Sequence, residues 1–344
     1  MKYIGNKTRL LPFIEHAVTS SEIPLSGTFI DIFGGTGSVG KHFKDLGMQV
    51  ISNDIMTYSY VFQQVLIRIN QVPSFDKLKL GGLEQVLNWL NQLPGIKGYV
   101  FENFAPSGKF GRQYFSDTNA MRIDAVREQI ALWQRQQLLS EDEHFILLAS
   151  LINAADFVAN ISGTYGAYLK IWRSMALKPL TLLYPYITDN HKNNQVFQQD
   201  ANTLIRQIKG DILYLDPPYN ARQYAPNFHV LETLAVWDKQ ELNGKTGQRS
   251  YEDKKSLYCY KTKATAALKD LVQNANVKHI LLSYNNEGII PREDILQILA
   301  EKGKVQEFCQ DYRRFRTEQD NEKRHYKPCD DKVVEHLYVV EVQP

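Results

Sequence analysis

Apolar residues along this chain follow two periods, and the change between them divides it. Short apolar runs bounded by polar or turn-forming residues occur at 28–33, 49–52, 195–199, 212–215 and 279–283, which predicts strands of a sheet covered on both faces. A last pair of runs, 304–310 and 333–340, predicts a hairpin closed by a long loop. Between about 57 and 190 this alternation lapses. There the apolar positions recur at helical spacing over 60–69, 83–93, 119–138 and 144–160, interrupted by Pro94-Gly95, Pro106-Ser107-Gly108 and Ser162-Gly163-Thr164. Two more helices are expected at 10–18 and 41–46, the second ended by Gly47. The pattern predicts an α/β protein with a mostly parallel sheet and a C-terminal antiparallel hairpin strand, built from 1–56 and 191–344. A helical domain is inserted over 57–190.

The run Ile212-Leu213-Tyr214-Leu215 stops at Asp216-Pro217-Pro218-Tyr219. Pro217 and Pro218 cannot donate to a ladder and fix their own φ, so the chain must leave the sheet there. In an open α/β sheet, ligands bind just past the carboxyl ends of strands. One reading of these residues is a strand-ending turn with a solvated Asp. The chemical reading is that Asp216 and a rigid backbone carbonyl accept hydrogen bonds from the exocyclic amine of a heteroaromatic base. Such an amine is a poor nucleophile because its lone pair is delocalised into the ring. Accepting both of its N–H bonds favours the pyramidal form that attacks an electrophile, which stabilises the transition state rather than the ground state. Tyr219 would stack on the base, an interaction of roughly 1–3 kcal/mol.

The strand at 28–33 runs into Gly34-Gly35-Thr36-Gly37-Ser38-Val39-Gly40. Gly35, Gly37 and Gly40 satisfy G-x-G-x-x-G between a strand and a helix, the context in which that pattern points to ligand binding rather than to a tight turn. Glycines let a ligand approach the backbone, and a helix N-terminus offers free N–H groups. The next strand leads to Asn53-Asp54, setting a carboxylate where it can accept bonds from ribose hydroxyls. This unit reads as a site for an adenosine-containing cofactor, either a dinucleotide or S-adenosylmethionine.

A hydrophobic content of 43% over 344 residues supplies a core large enough for one big domain or two unequal ones. The net charge of +2 makes any nucleic-acid surface a local patch. Two stretches have that character. One is Lys109-Phe110-Gly111-Arg112-Gln113-Tyr114-Phe115, with Arg122 and Arg127 on the helix that follows. The other is the long loop bearing Arg313, Arg314 and Arg316, which between 311 and 327 holds six Lys or Arg against four Asp or Glu. A solvated helix face and a mobile surface hairpin are the alternatives. Cys259, Cys309 and Cys329 are odd in number and match no metal or redox spacing, so structural thiols, a reducing compartment and no metal site are expected. The chain opens on no secretory apolar core, and its longest apolar stretch, 144–161, is broken by Asn153 and Asp156. A cytoplasmic protein without a membrane partner is therefore expected. Residues 2–7 form a short polar-aromatic turn, either a loose terminus or a segment that closes over a ligand.

These motifs together resemble the alpha group of adenine-N6 DNA methyltransferases, the Dam-like enzymes that include many methylases of restriction-modification systems. The resemblance covers nearly the whole chain in that group's order. Asp216, Pro217, Pro218 and Tyr219 match the catalytic Asp-Pro-Pro-Tyr motif, the specific signal; the glycine loop is shared by many unrelated enzymes. The resemblance implies a Rossmann-like class I methyltransferase sheet with S-adenosyl-L-methionine as cofactor. Its amino-acid end would be met by Tyr3, Gly5 and Lys7, which implies an ordered rather than loose terminus, and by Asp31, Phe33, Gly34 and Gly37, with Gly35 in the same loop. Asp54 would meet the ribose, Asp200 the cofactor adenine, and Asp216 both the cofactor site and the acceptor amine. The insertion would be the target-recognition domain. The implied partner is double-stranded DNA, with an adenine rotated out of the duplex and methylated by direct attack, without a cysteine nucleophile or a metal. A monomer, with a cognate restriction endonuclease as a candidate companion, completes the expectation.

Four alternatives stand beside it. A cytosine-N4 methyltransferase more typically carries Ser at the Asp216 position, and protein-glutamine methylases carry Asn. A nicotinamide-dependent oxidoreductase would use the glycine loop but leaves Asp-Pro-Pro-Tyr unexplained. A non-catalytic nucleic-acid binder on a methyltransferase scaffold is opposed by the intact Lys7, Asp31 and Asp216.

Overall fold

The computed structural model describes residues 7–313 and 332–343. The chain divides into two compact units. One comprises the described residues of Gly5–Gln63, Asn190–Gln223 and Asp253–Pro344; the other comprises Gln64–Asp189 and Tyr224–Glu252.

The first unit is built on a sheet of seven strands among the described residues: β1 (Thr28–Asp31), β2 (Gln49–Asn53), β3 (Gln195–Phe197), β4 (Ile212–Leu215), β5 (His279–Asn285), β6 (Gly303–Arg313) and β7 (Lys332–Val342). Their order is β3-β2-β1-β4-β5-β7-β6. The β1/β2, β1/β4, β2/β3 and β4/β5 pairs are parallel, while β7 runs antiparallel to both β5 and β6. From β1 the chain moves outward through β2 to β3, then returns to the other side of β1 with β4. The switch point of the sheet therefore lies between β1 and β4, and in open α/β sheets ligands bind at the carboxyl ends of the strands at such a point. Because β7 is antiparallel, its first residues also lie at that end.

The strands are apolar for the predicted reason, since both faces are covered. Leu213, Leu215, Ile280 and Leu282 pack with Leu268, Leu271 and Val272 of the helix Ala264–Asn274 and with Ile295 and Leu299 of the helix Arg292–Ala300. The sequence reading leaves these two covering helices unassigned. Phe29, alternating with Ile30 on β1, stacks at 3.8 Å on Phe43 of the helix Ser38–Asp45. That helix starts earlier than the predicted 41, because Gly37 adopts φ 81° and caps it, and Gly40 is helical rather than part of the loop. The strand predicted at 195–199 stops at Phe197, because Gln199 and Asp200 turn into the short helix Ala201–Leu204.

The second unit is helical, with Leu83–Gln92, Tyr99–Phe104, Asp117–Arg135, Glu141–Phe157 and His229–Val236. It differs from the expected insertion over 57–190. Residues 57–63 belong to the sheet-bearing unit, and Tyr224–Glu252, which the sequence pattern gave to the sheet, groups with the helices. Side chains of the helical unit account for this. Arg127 donates to the Leu234 and Ala235 carbonyls at the end of the helix His229–Val236, and Arg112 donates to the Gly244 and Lys245 carbonyls. Tyr99 Oη reaches the Gln240 carbonyl at 2.5 Å, and the Tyr165 amide reaches that of Asn227 at 2.7 Å. Such contacts join segments far apart in sequence, which periodicity does not register. Among the described residues, no helix is long and apolar enough to cross a membrane.

Candidate active site

Asp31 closes β1 and Asp216 follows β4, so the two carboxylates flank the switch point. Asp31 is buried. Its Oδ2 accepts the Gly40 amide at 3.0 Å, while Oδ1 has no partner among the described residues. Burial pushes its carboxyl up to about 7, opposed by the Gly40 N–H and reinforced by Asp216 and Asp54. A buried acceptor without a donor costs on the order of 1–3 kcal/mol, so such an atom marks a place for a ligand's donor.

The glycine loop is braced from behind. The Gly35 carbonyl accepts Gln63 Nε2 at 2.8 Å, and Ser52 Oγ donates to Gln63 Oε1 at 2.8 Å. A Cβ on Gly34 would fall 2.6 Å from Ser52 Oγ and 2.8 Å from Gln63 Nε2, so that position excludes a side chain. Gly35 and Gly37 have φ of 51° and 81°, the left-handed region that favours glycine. Phe33 packs edge-on against Tyr258, with ring centroids 5.1 Å apart.

Asp54 lies beside this loop, but its carboxylate already holds backbone. Oδ2 accepts the Gly35 amide at 2.9 Å and Oδ1 the Met56 amide at 2.8 Å. Asn53, which sequence reasoning passed over, stitches three strand ends together. Its Nδ2 donates to the Ile32 and Gln199 carbonyls, and its Oδ1 accepts the Gln199 amide at 2.9 Å. Asp200 is exposed and caps the helix Ala201–Leu204, its Oδ1 accepting Thr203 N at 3.0 Å.

Lys7 is buried and bridges two carboxylates, lying 3.2 Å from Asp216 Oδ1 and 2.6 Å from Glu335 Oε1. Ser283 Oγ on β5 donates to the same Glu335 oxygen at 2.6 Å. The two carboxylates hold the Lys7 ammonium well above its usual range despite burial, which acts the other way. Asp216 is pushed up to about 6, first by burial, with Lys7 opposing and Glu335 adding. Asp216 Oδ2 has no hydrogen bond among the described residues. Pro217 is buried, and Tyr219 is half-buried with its carbonyl accepting the Ile289 amide at 2.9 Å. Among the described residues, Asp216 and Glu335 share the Lys7 ammonium and the Asp31 carboxylate lies within electrostatic reach of Asp216, a surplus of carboxylates that suits a cationic ligand. Glu335 had no signal in the sequence, since it is one acidic residue in an apolar strand.

The remaining candidates fall elsewhere. Tyr3, Gly5, Arg314 and Arg316 lie outside the described residues, as does the side chain of Arg313. In the helical unit Lys109 is exposed. Arg112, expected at a nucleic-acid surface, is instead 3% exposed, with its guanidinium held by the Asn103, Gly244 and Lys245 carbonyls. Arg122 caps the helix Leu83–Gln92 through the Leu90, Asn91 and Leu93 carbonyls, and Arg127 is buried. All three donate to backbone carbonyls within the unit, although Nη1 of Arg127 is buried without a partner among the described residues.

Cysteine spacing pointed to no metal site, yet register brings Cys309 opposite His336 with Glu307 two residues along, their ligand atoms within 4.8 Å. Arg292 takes both Glu307 oxygens and His336 Nδ1 lies 2.8 Å from one, so Glu307 is already engaged by neighbouring side chains.

The model of the D12 class of N6 adenine-specific DNA methyltransferases matches residues 3–298. The chain is 43% identical over 306 residues to the type II methyltransferase M.FokI of Planomicrobium okeanokoites, covering 88% of this chain and 47% of that protein. It is 43% identical over 304 residues to the modification methylase StsI of Streptococcus sanguinis, covering 88% and 46%. To the type II methyltransferase M.NlaIII of Neisseria lactamica it is 40% identical over 346 residues, covering 99% of each. The chain thus spans about half the length of the first two relatives and nearly all of the third. With a family match running through both flanks of the switch point, the chain belongs to the D12 class of N6 adenine-specific DNA methyltransferases.

Proposed function

We propose that this protein transfers a methyl group from S-adenosyl-L-methionine to N6 of an adenine in double-stranded DNA, as the modification enzyme of a restriction-modification system in the cytoplasm. The observation that carries this reading is Asp216, held by Lys7 on one oxygen, with the other available at the end of β4 beside the unpaired Asp31 Oδ1.

The bound cofactor supplies a sulfonium-activated methyl group. Its positive charge suits the surplus of carboxylates. Asp31 Oδ1 would accept from its ammonium, Asp54 and Asp200 would take its ribose and adenine, and Gly34, Gly35 and Gly37 would give it room against the backbone. Asp216 Oδ2 and the Pro217 carbonyl accept the two N6 hydrogens, localising the nitrogen lone pair, while Tyr219 stacks on the extruded base. The cofactor would supply the methyl group to the N6 lone pair and keep the sulfur electron pair, and Asp216 or water would take the proton that leaves nitrogen. A carboxyl that titrates near 6 accepts and releases such a proton near neutral pH. The helical unit, Lys109 and the loop bearing Arg313, Arg314 and Arg316 supply target recognition and phosphate contacts. We read the enzyme as a monomer, with a cognate endonuclease as its companion.

The test is transfer of a labelled methyl group to duplex DNA by the purified chain. Label on adenine N6, lost in Asp216→Ala while cofactor binding persists, supports the reading. Label on cytosine alone would replace the acceptor, and no cofactor binding would favour a non-catalytic binder.

A further inference from the structure

Lys7 is not a partner for Asp216 alone. Its ammonium is shared with Glu335, a residue of β7 that no motif singles out, and Glu335 is anchored in turn by Ser283 of β5. The register explains how the three meet. Glu335 pairs with Asn285 at the carboxyl end of β5, and β5 runs parallel beside β4, with Leu282 opposite Leu215. Ser283 therefore stands level with Asp216, and the antiparallel β7 delivers Glu335 to the same end. Glu335 is 4% exposed and Lys7 7%, so neither charge is satisfied by water.

We propose that Glu335 is a positioning residue for methyl transfer. With Ser283 it fixes the Lys7 ammonium on one oxygen of Asp216, so that the other oxygen is kept for the acceptor amine. The inference rests on the methyltransferase reading given above. Without Glu335, the ammonium is free to centre on Asp216, engage both oxygens and compete with the amine. Among the described residues, the charged or titratable groups facing Asp216 are Lys7, Glu335 on β7, Asp31 on β1, Tyr214 on β4 and Tyr219 in its own turn. Of these, Lys7 alone is cationic. Removing the Glu335 charge leaves that cation to Asp216, so the Asp216 carboxyl should ionise at lower pH.

The test uses Glu335→Gln, Ser283→Ala, Lys7→Met and the Lys7→Met/Glu335→Gln double variant, with melting temperatures to establish folding. Glu335→Gln should lower kcat about tenfold or more while changing cofactor KM by less than about threefold. The acid limb of its rate profile should move to lower pH. In the Lys7→Met background the same substitution should add less than about twofold, since its effect runs through Lys7. Ser283→Ala should lower kcat about threefold, and it serves as the probe if Glu335→Gln fails to fold. An equal loss in both backgrounds with an unmoved profile would overturn the proposal and leave Glu335 a structural role. Titration of the 13C-labelled Asp216 carboxyl needs no DNA turnover: a fall in Glu335→Gln supports the clamp and no change overturns it. A wild-type chain that methylates no DNA refutes the functional reading instead.

Discussion

The Gly40 amide donates to Oδ2 of Asp31 at 3.0 Å, while Oδ1 of the same carboxylate stays buried without a partner. This asymmetry leaves the ligand-free protein with a charge it does not fully satisfy. The Asp31 carboxyl is raised from 3.8 to about 7, so the folded state favours the protonated form. That contribution to stability is present below the unfolded value and is lost as pH rises through about 7. Asp31→Asn should therefore stabilise the ligand-free protein by about 1–3 kcal/mol at pH 8 relative to its effect at pH 4.5. The same change should weaken cofactor binding about tenfold or more. Urea denaturation at the two pH values, with calorimetric titration of cofactor, checks both; a stability difference that ignores pH would contradict the assignment.

Methyl transfer should rise with pH through about 6, because burial and Glu335 push the Asp216 carboxyl there and only the ionised form accepts from an amine without competing as a donor. Asp216→Asn keeps the shape and removes the charge. Its rate should fall by about 100-fold or more, and the acid limb should vanish from whatever activity is left. Initial rates between pH 5 and 9 at saturating cofactor decide this.

Gly34→Ala would place a methyl 2.6 Å from Ser52 Oγ and 2.8 Å from Gln63 Nε2, the side chain that holds the Gly35 carbonyl. Relief requires Gln63 to release the loop. The expected outcome is a loss of about 1–3 kcal/mol in stability together with weaker cofactor binding. A variant that melts like the wild type would show that Gln63 yields freely.

Arg112 and Lys109, close in sequence, should part in their effects. Arg112→Ala removes the donor to the Asn103, Gly244 and Lys245 carbonyls and should destabilise the helical unit by about 2–4 kcal/mol. Lys109→Ala alters an exposed side chain and should leave stability within about 0.5 kcal/mol. If Lys109 meets phosphate, its loss should lower the slope of log affinity against log salt by about one. Melting curves and DNA titrations across salt concentrations separate the two roles.

The sequence by itself determined the strands and their fate. Apolar runs such as Ile212–Leu215 are strands because only a doubly covered sheet buries them, and a carboxylate followed by two prolines must leave that sheet. The glycine loop and the paired strands at the C-terminal end were legible in the same way. Helix starts were less so. The helix Glu141–Phe157 opens on a capping box between Ser140 and Glu143, polar residues that an apolar period skips over.

Tertiary structure alone decided what pairs with what. That Lys7 lies between Asp216 and Glu335, that Arg112 braces a loop, and that Tyr224–Glu252 joins the helical unit all depend on residues brought together from distant parts of the chain. Local pattern encodes which face of an element is buried. The partner of a buried charge is chosen by strand order and register, which emerge only when the whole sheet is assembled.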